Sequence, residues 1–472
     1  MSYFEDFDDD IRNYPDESEI NSRIETCKEF VEEGTTLIHI DYIEETVHYC
    51  LDSDKAVDGL FLCNAVTLVA PYNSEFWQYT GILYNNSFKF YEAYVAFLKS
   101  LTLNPNDVET LLNKSIAEDN LGMFDDAVES LEKVLQIDPN SEEAYFSLGV
   151  LFQRMDNYSE AIEYFISATQ CDEHYSEAWY ELGYCYENNS QFNEALAAYN
   201  KFLEIEPYSS TGWYNLGIVH IRKEEFQKAI NCFELSIAVK DNFSSAWFNL
   251  GVAYANLDLM PKSLEALKRA SELDPEDEAI WYTLGQAYED LEKIPLAIKC
   301  YTKAVKLDPD YFEAFLSRGY CYDVSGKLHS ALRDFNRAIR LTENSIDAWV
   351  AKADLEYSLG ELSKSIKSYR KILDIEKDNF EIWYKLAETL IETGNWIEGK
   401  DAYNECIRLK PKDANSYYGN AKVNFLLSQT KEAIEYLKSA FQLDPKIKED
   451  FAKEYPEVKS SKLFLKLIEE QK

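Results

Sequence analysis

The residue types that carry most enzyme chemistry are present in this chain but are not arranged for it. The five histidines, His39, His48, His174, His220 and His329, are scattered, whereas a metal site needs ligands converging from one or two helices. No GxxxxGK[ST], GxGxxG, HExxH or GxSxG motif occurs. The nine cysteines, Cys27, Cys50, Cys63, Cys171, Cys185, Cys232, Cys300, Cys321 and Cys406, include no CxxC pair. They read as reduced thiols that fill a packed interior. Carboxylates are so abundant that chance neighbours carry no weight as an acid–base pair. Interaction chemistry is better represented. Phe146, Tyr180, Tyr214, Phe248 and Tyr282 follow one another at 34-residue steps, Asn215 and Asn249 do the same, and Tyr184 lies four residues beyond Tyr180. Aromatic rings with polar tips offer contact area at low entropic cost, and amides both donate to and accept from an extended peptide backbone.

Positioning such residues falls to a chain of 472 residues, 46% of them hydrophobic, which is enough to bury a large core. Against 47 Lys and Arg stand 85 Asp and Glu, a formal net charge of −38 that repels nucleic-acid phosphates and anionic lipid. The opening MSYFEDFDDD has no basic stretch before an apolar run, and no window approaches 18 consecutive apolar residues. A cytoplasmic protein that binds neither nucleic acid nor membrane is expected.

The 34-residue step extends without insertion to twelve units, beginning at residue 40 and ending at 447. Residues not used to set the register support it. Unit position 20 reads Gly59, Ala93, Ala127, Ala161, Ala195, Ala229, Ser263, Ala297, Ala331, Ser365, Gly399 and Ala433, all small. Position 8 is glycine in Gly81, Gly149, Gly183, Gly217, Gly251, Gly285 and Gly319, and position 32 is proline in eight units. Seven of the eight tryptophans sit at position 4. In the unit from 176, Trp179, Leu182, Gly183 and Tyr186 share one helical face, as do Ala195, Tyr199 and Phe202. Each unit therefore reads as two amphipathic helices whose small residues allow close approach, with proline punctuating the turn to the next unit. One pair cannot bury its apolar faces alone, so the units must stack.

An aromatic at position 4, Leu at 7, Gly or Ala at 8, aromatics at 11 and 24, Ala at 20 and 27 and Pro at 32 resemble the tetratricopeptide repeat. The gap-free spacing is similar to that of long bacterial proteins made only of such repeats. The resemblance implies an all-α solenoid, a right-handed superhelix of twelve helix-turn-helix units with no strand. Departures stand in the first unit (Ile43, Val47, Cys50) and the third (Leu111, Lys114, Ser115, Glu118), where less regular packing is expected. Residues 1–39, net −9, read as an acidic tail and capping helix carrying Ile20, Ile24, Cys27, Phe30 and Val31. Residues 448–472 read as a C-terminal capping helix with Leu463, Phe464, Leu467 and Ile468. The position-4 tryptophans should be largely buried and Trp396 the most exposed.

In this family the concave surface is made mainly by the first helix of each unit. That implies a groove for a peptide or protein containing Phe146, Tyr180, Tyr184, Tyr214, Asn215, Phe248, Asn249 and Tyr282. The simpler alternative is that these aromatics only pack between neighbouring helices. Residues 1–209 carry −32 of the net charge, and Glu75, Glu109, Asp119, Glu143, Glu177 and Glu187 place part of it toward the groove. On the second helices Lys299, Lys303, Lys306, Arg333, Arg337, Arg340, Lys367 and Lys371 form a basic strip, read as a solvated convex face or a dock for an acidic partner. Such a chain is expected to be a non-enzymatic scaffold or adaptor that needs no cofactor. Its partner would present a basic and apolar extended segment. A peptide-responsive sensor and an enzyme of unrecognised chemistry are the alternatives, and oligomeric state is not legible.

Overall fold

The computed structural model describes residues 16–53 and 55–454. Residues 1–15 of the acidic segment and Leu463, Phe464, Leu467 and Ile468 lie outside the described residues. Every regular element among those described is an α-helix.

Packing divides the helices into two compact halves, Met1–Asp241 and Asn242–Lys472. The first holds α1 (Glu17–Glu32), α2 (Ile40–Asp52), α3 (Ala56–Val69), α4 (Ser74–Asn86), α5 (Phe90–Leu103), α6 (Val108–Asn120), α7 (Phe124–Ile137), α8 (Glu142–Arg154), α9 (Tyr158–Cys171), α10 (Ser176–Asn188), α11 (Phe192–Ile205), α12 (Ser210–Arg222) and α13 (Phe226–Val239). The second holds α14 (Ser244–Asn256), α15 (Met260–Leu273), α16 (Glu278–Asp290), α17 (Ile294–Leu307), α18 (Phe312–Val324), α19 (Leu328–Leu341), α20 (Ile346–Ser358), α21 (Leu362–Ile375), α22 (Phe380–Glu392), α23 (Trp396–Leu409), α24 (Ala414–Leu426), α25 (Thr430–Leu443) and α26 (Lys446–Glu454). The principal contacts join a helix to the next one or two in sequence.

Inside each unit the two helices meet where side chains are smallest. All twelve position-20 residues are buried. A Cβ added at Gly183 would stand 2.8 Å from the Tyr199 ring, and one at Gly81 2.3 Å from the ring of Phe97, so those rings lie directly on backbone. Between the helices the chain turns through one left-handed residue at position 15. It is glycine at Gly122, Gly326, Gly360 and Gly394, but Phe88, Asp156, Ser190, Glu224, Asp258, Glu292 and Ser428 hold φ of 56–60° there.

Between units, position 34 decides how the next helix starts. Asn73, Asp107, Ser141, Ser209, Asp277, Ser345, Asn379 and Asp413 accept a backbone N–H from the first turn. Where Tyr175 or Tyr311 stands there is no side-chain cap. Their rings pack on Phe146 and Tyr282 instead, at 5.1 and 5.0 Å.

The position-4 tryptophans are buried for most of their surface but not fully. Each indole N–H of Trp77, Trp179, Trp213, Trp281, Trp349 and Trp383 donates to a carbonyl six residues earlier, in the inter-unit turn, at 2.7–3.0 Å. An indole that must reach this polar turn cannot also sink into the core. Trp396 is exposed, as expected.

In the third unit the departures are joined into a polar network. Lys114 pairs with the buried carboxylate of Glu118, and Ser130 Oγ donates to Glu118 at 2.7 Å while accepting from Lys114 at 2.8 Å. Buried Glu356 likewise accepts from Ser368 Oγ at 2.7 Å and lies 3.8 Å from Lys352. Arg318 grips Asp334 with two bonds of 2.7 and 2.8 Å in a related solution. Buried charge is tolerable here because each carboxylate has several donors.

Candidate peptide-binding groove

Within each half, first helices of successive units touch one another, α2 with α4, α4 with α6, α6 with α8 and α8 with α10, then α14 with α16, α18 with α20 and α22 with α24. No comparable contact joins successive second helices among the described residues. First helices thus form the tighter layer, and polar side chains bridge it. Tyr79 donates to Glu44 at 2.9 Å, Gln153 to Glu181 at 2.7 Å and Asn85 to the Asn113 carbonyl at 3.0 Å. In the second half Lys385 reaches Asp354 at 2.6 Å and Tyr357 reaches Glu392 at 2.7 Å.

The expected aromatic residues take two roles. Phe146, Tyr180, Tyr214 and Tyr282 are half-buried, with rings against Phe165, Tyr199, Phe233 and Tyr301 of their own second helices at 5.6–6.0 Å. Tyr180 keeps its hydroxyl available and accepts from Asn215 Nδ2 at 2.9 Å, a rung between two units. Burial pushes that phenol up, and the Asn215 bond opposes the shift. Tyr184 is 39% exposed. Phe248 and Asn249 are half-buried on α14, and the Asn249 amide donates to the Ser245 carbonyl at 2.9 Å.

Among the acids, Glu75, Glu109, Glu143 and Glu177 are exposed in the first turns of α4, α6, α8 and α10, where they also complement the helix N-termini. Asp119 is paired with Arg154. Glu187 is half-buried, and desolvation raises its pKa while nearby Arg222 opposes the rise. In the basic strip Lys299, Lys306, Arg333, Arg340, Lys367 and Lys371 are exposed. Lys303 and Arg337 turn back to the preceding inter-unit turn, reaching Glu276 at 3.0 Å and Asp310 at 2.9 Å.

The periodic reading missed one cavity. In the second half, Asn256, Thr283, Gln286, Glu289, Asp290 and Ser317 rim a hollow of about 480 Å³ floored by Leu267, Ala287 and Tyr301. Positions 6, 9, 12 and 13 supply this rim, whereas the aromatics singled out at position 5 lean on the second helices. Among the described residues no group of three His, Cys, Asp or Glu could hold a metal ion. Nor is any helix among the described residues long and apolar enough to cross a membrane. Eight cysteines are buried, and burial pushes the Cys63 and Cys185 thiols up to about 12. Cys171 is the exception: the end of α9 leaves it exposed rather than packed inside.

Sequence-family models described as tetratricopeptide or TPR repeats match residues 214–278, 279–311, 353–394 and 380–413. The chain is a tetratricopeptide-repeat protein. A model of anaphase-promoting complex, cyclosome, subunit 3 matches residues 120–202 of this tetratricopeptide-repeat chain. No curated protein sequence matches it. Among solved structures it is similar to MamA, at 29% identity over 34% of this chain and 94% of that one with a TM-score of 0.33. It is also similar to YrrB, titled a TPR protein with an unusual peptide-binding site, at 23% identity over 40% and 98% with a TM-score of 0.36. Residues 41-end of MamA from Desulfovibrio magneticus RS-1 match at 22% identity over 36% and 96%, TM-score 0.35. Tetratricopeptide repeats serve as scaffolds for protein–protein interaction, and this chain is built from them.

Proposed function

We propose that this protein is a non-enzymatic adaptor whose first-helix layer binds an extended protein segment carrying basic and apolar side chains. Residues 40–447 are read as one repeat array, with capping segments on either side. The observation that carries the reading is the Tyr180–Asn215 rung, flanked by exposed Tyr184 and by the acidic first turns of α4, α6, α8 and α10. Such a surface joins polar-tipped aromatics, an amide and negative potential within one half. Reduced, buried thiols suit a cytoplasmic setting.

The test is affinity capture of a partner by the whole chain, then binding measured against salt. Association should weaken as salt rises, since exposed opposite charges are screened beyond about 8 Å at physiological ionic strength. Replacing Tyr184 and Asn215 together by Ala should weaken binding without changing the circular dichroism spectrum. Arg340→Ala on the second-helix face should leave binding unchanged. If only the second-helix substitution weakens it, the basic strip is the site and this reading fails.

A further inference from the structure

The hollow rimmed by α14, α16 and α18 combines carboxylates, open acceptors and an apolar floor, and no Lys, Arg or His lines it. It exists because bulk is missing there. Ala255 and Leu267 stand where the preceding unit has Ile221 and Phe233. All of its residues belong to the second half.

Its polar groups are set to accept rather than donate. Tyr301, fully buried, donates its hydroxyl to Glu289 Oε2 at 2.6 Å and so fixes that carboxylate at the rim. Asn256 Nδ2 is bound to the Val252 carbonyl at 2.9 Å and Gln286 Nε2 to the Tyr282 hydroxyl at 3.2 Å, which leaves both amide oxygens as acceptors. Asp290 adds a second carboxylate, exposed and without an ion pair among the described residues. Ser263 lines the same hollow, and its wholly buried Oγ has no hydrogen-bond partner among the described residues, an unmet polar atom of the kind a ligand satisfies. The larger cavity beside α21 and α23 differs on this point, because cations already meet its carboxylates: Arg370 pairs with Glu398, and Arg408 with Asp378 and Glu405.

We propose that this hollow is a binding pocket for the guanidinium group of an arginine side chain presented by a protein partner. A guanidinium offers five N–H donors in a planar fork and is weakly hydrated. It therefore suits a rim of two carboxylates and two amide oxygens better than the compact, strongly hydrated ammonium of lysine. The methylene stem lies over Leu267 and Ala287. A backbone-linked arginine brings one positive charge and no carboxylate, whereas free arginine carries its own carboxylate into an acidic rim. The inference stands on this hollow alone and does not depend on the Tyr180–Asn215 surface of the other half.

The test titrates the whole chain with N-acetylarginine amide by saturation-transfer NMR, and in parallel with the citrulline and lysine analogues and with free arginine. The arginine amide should bind most tightly, and the citrulline amide, which keeps the shape and loses the charge, about tenfold more weakly. Asp290→Asn, at an exposed position, should weaken the arginine amide about threefold without lowering the melting temperature. Ala255→Leu, which fills the hollow without changing charge, should abolish its saturation transfer. Asp347→Asn removes an exposed acid of α20 outside the hollow and should change nothing. Probes that all bind alike, or Asp347→Asn acting as strongly as Asp290→Asn, would reduce the effect to diffuse attraction by an acidic chain and overturn the proposal. So would saturation transfer to none of the probes, tighter binding of the lysine amide, which assigns an ammonium site, or tighter binding of free arginine, which assigns a metabolite.

Discussion

His220 shows how one side chain couples this fold to pH. It occupies a position that is tyrosine in the units on either side, Tyr186 and Tyr254, and it is 9% exposed with Nδ1 2.8 Å from Glu225. Burial lowers its pKa below the ordinary value, and Glu225 only partly restores it. The unfolded chain takes up a proton near pH 6.5 that the native state still refuses, so stability is full above about pH 6.5 and declines as pH falls. Urea titrations from pH 7 to 5 should show this loss in the parent and a flatter profile in His220→Tyr. Gly183 makes a steric case at the same scale. Gly183→Ala drives a Cβ to 2.8 Å from Tyr199, and a cost of about 1–3 kcal/mol is expected from overpacking, read as a lower denaturation midpoint. Ala353 carries a Cβ at the equivalent position in its own unit, so the cost depends on whether the facing ring can shift.

At the scale of the helix pair, the turn between helices is the constant and its residue the variable. Glu292 holds φ 56° where Gly326, Gly360 and Gly394 relax without penalty. Left-handed backbone costs an ordinary residue about 1–2 kcal/mol, and glycine returns part of that as chain entropy. Glu292→Gly should therefore stabilise by about 0.5–1 kcal/mol in thermal melts. A lower melting temperature would show that the Glu292 side chain contributes more than the strain costs. The turn between units is held from two directions. Trp281 donates to Pro275 O at 3.0 Å, and Lys303 reaches the neighbouring Glu276. Trp281→Phe keeps the aromatic bulk and loses that bond, with an expected cost of about 0.5–1.5 kcal/mol.

At the scale of the molecule, contacts that run mainly between sequence neighbours make stability a sum over units and interfaces. Removing α24–α26 should lower the melting temperature and expose the Leu386, Leu390 and Tyr403 cluster of the preceding unit to an apolar dye. A truncated chain that melts like the parent would contradict this additive picture. The sequence alone determined the all-helical repeat and its 34-residue register, because helix packing needs small residues and aromatics at fixed intervals. The buried position-20 row and the rings over Gly81 and Gly183 follow from that periodicity. What the tertiary structure decided lies where one position serves different neighbours. The position-4 tryptophans looked like core but reach a turn carbonyl of the preceding unit, and Lys114 looked like a defect but completes a buried network with Glu118 and Ser130. Tyr180 and Tyr184, four residues apart on one helix, separate into a packed ring whose hydroxyl is bonded to Asn215 and an exposed ring. Composition could not tell these apart, because burial depends on which side chains the neighbouring helix supplies.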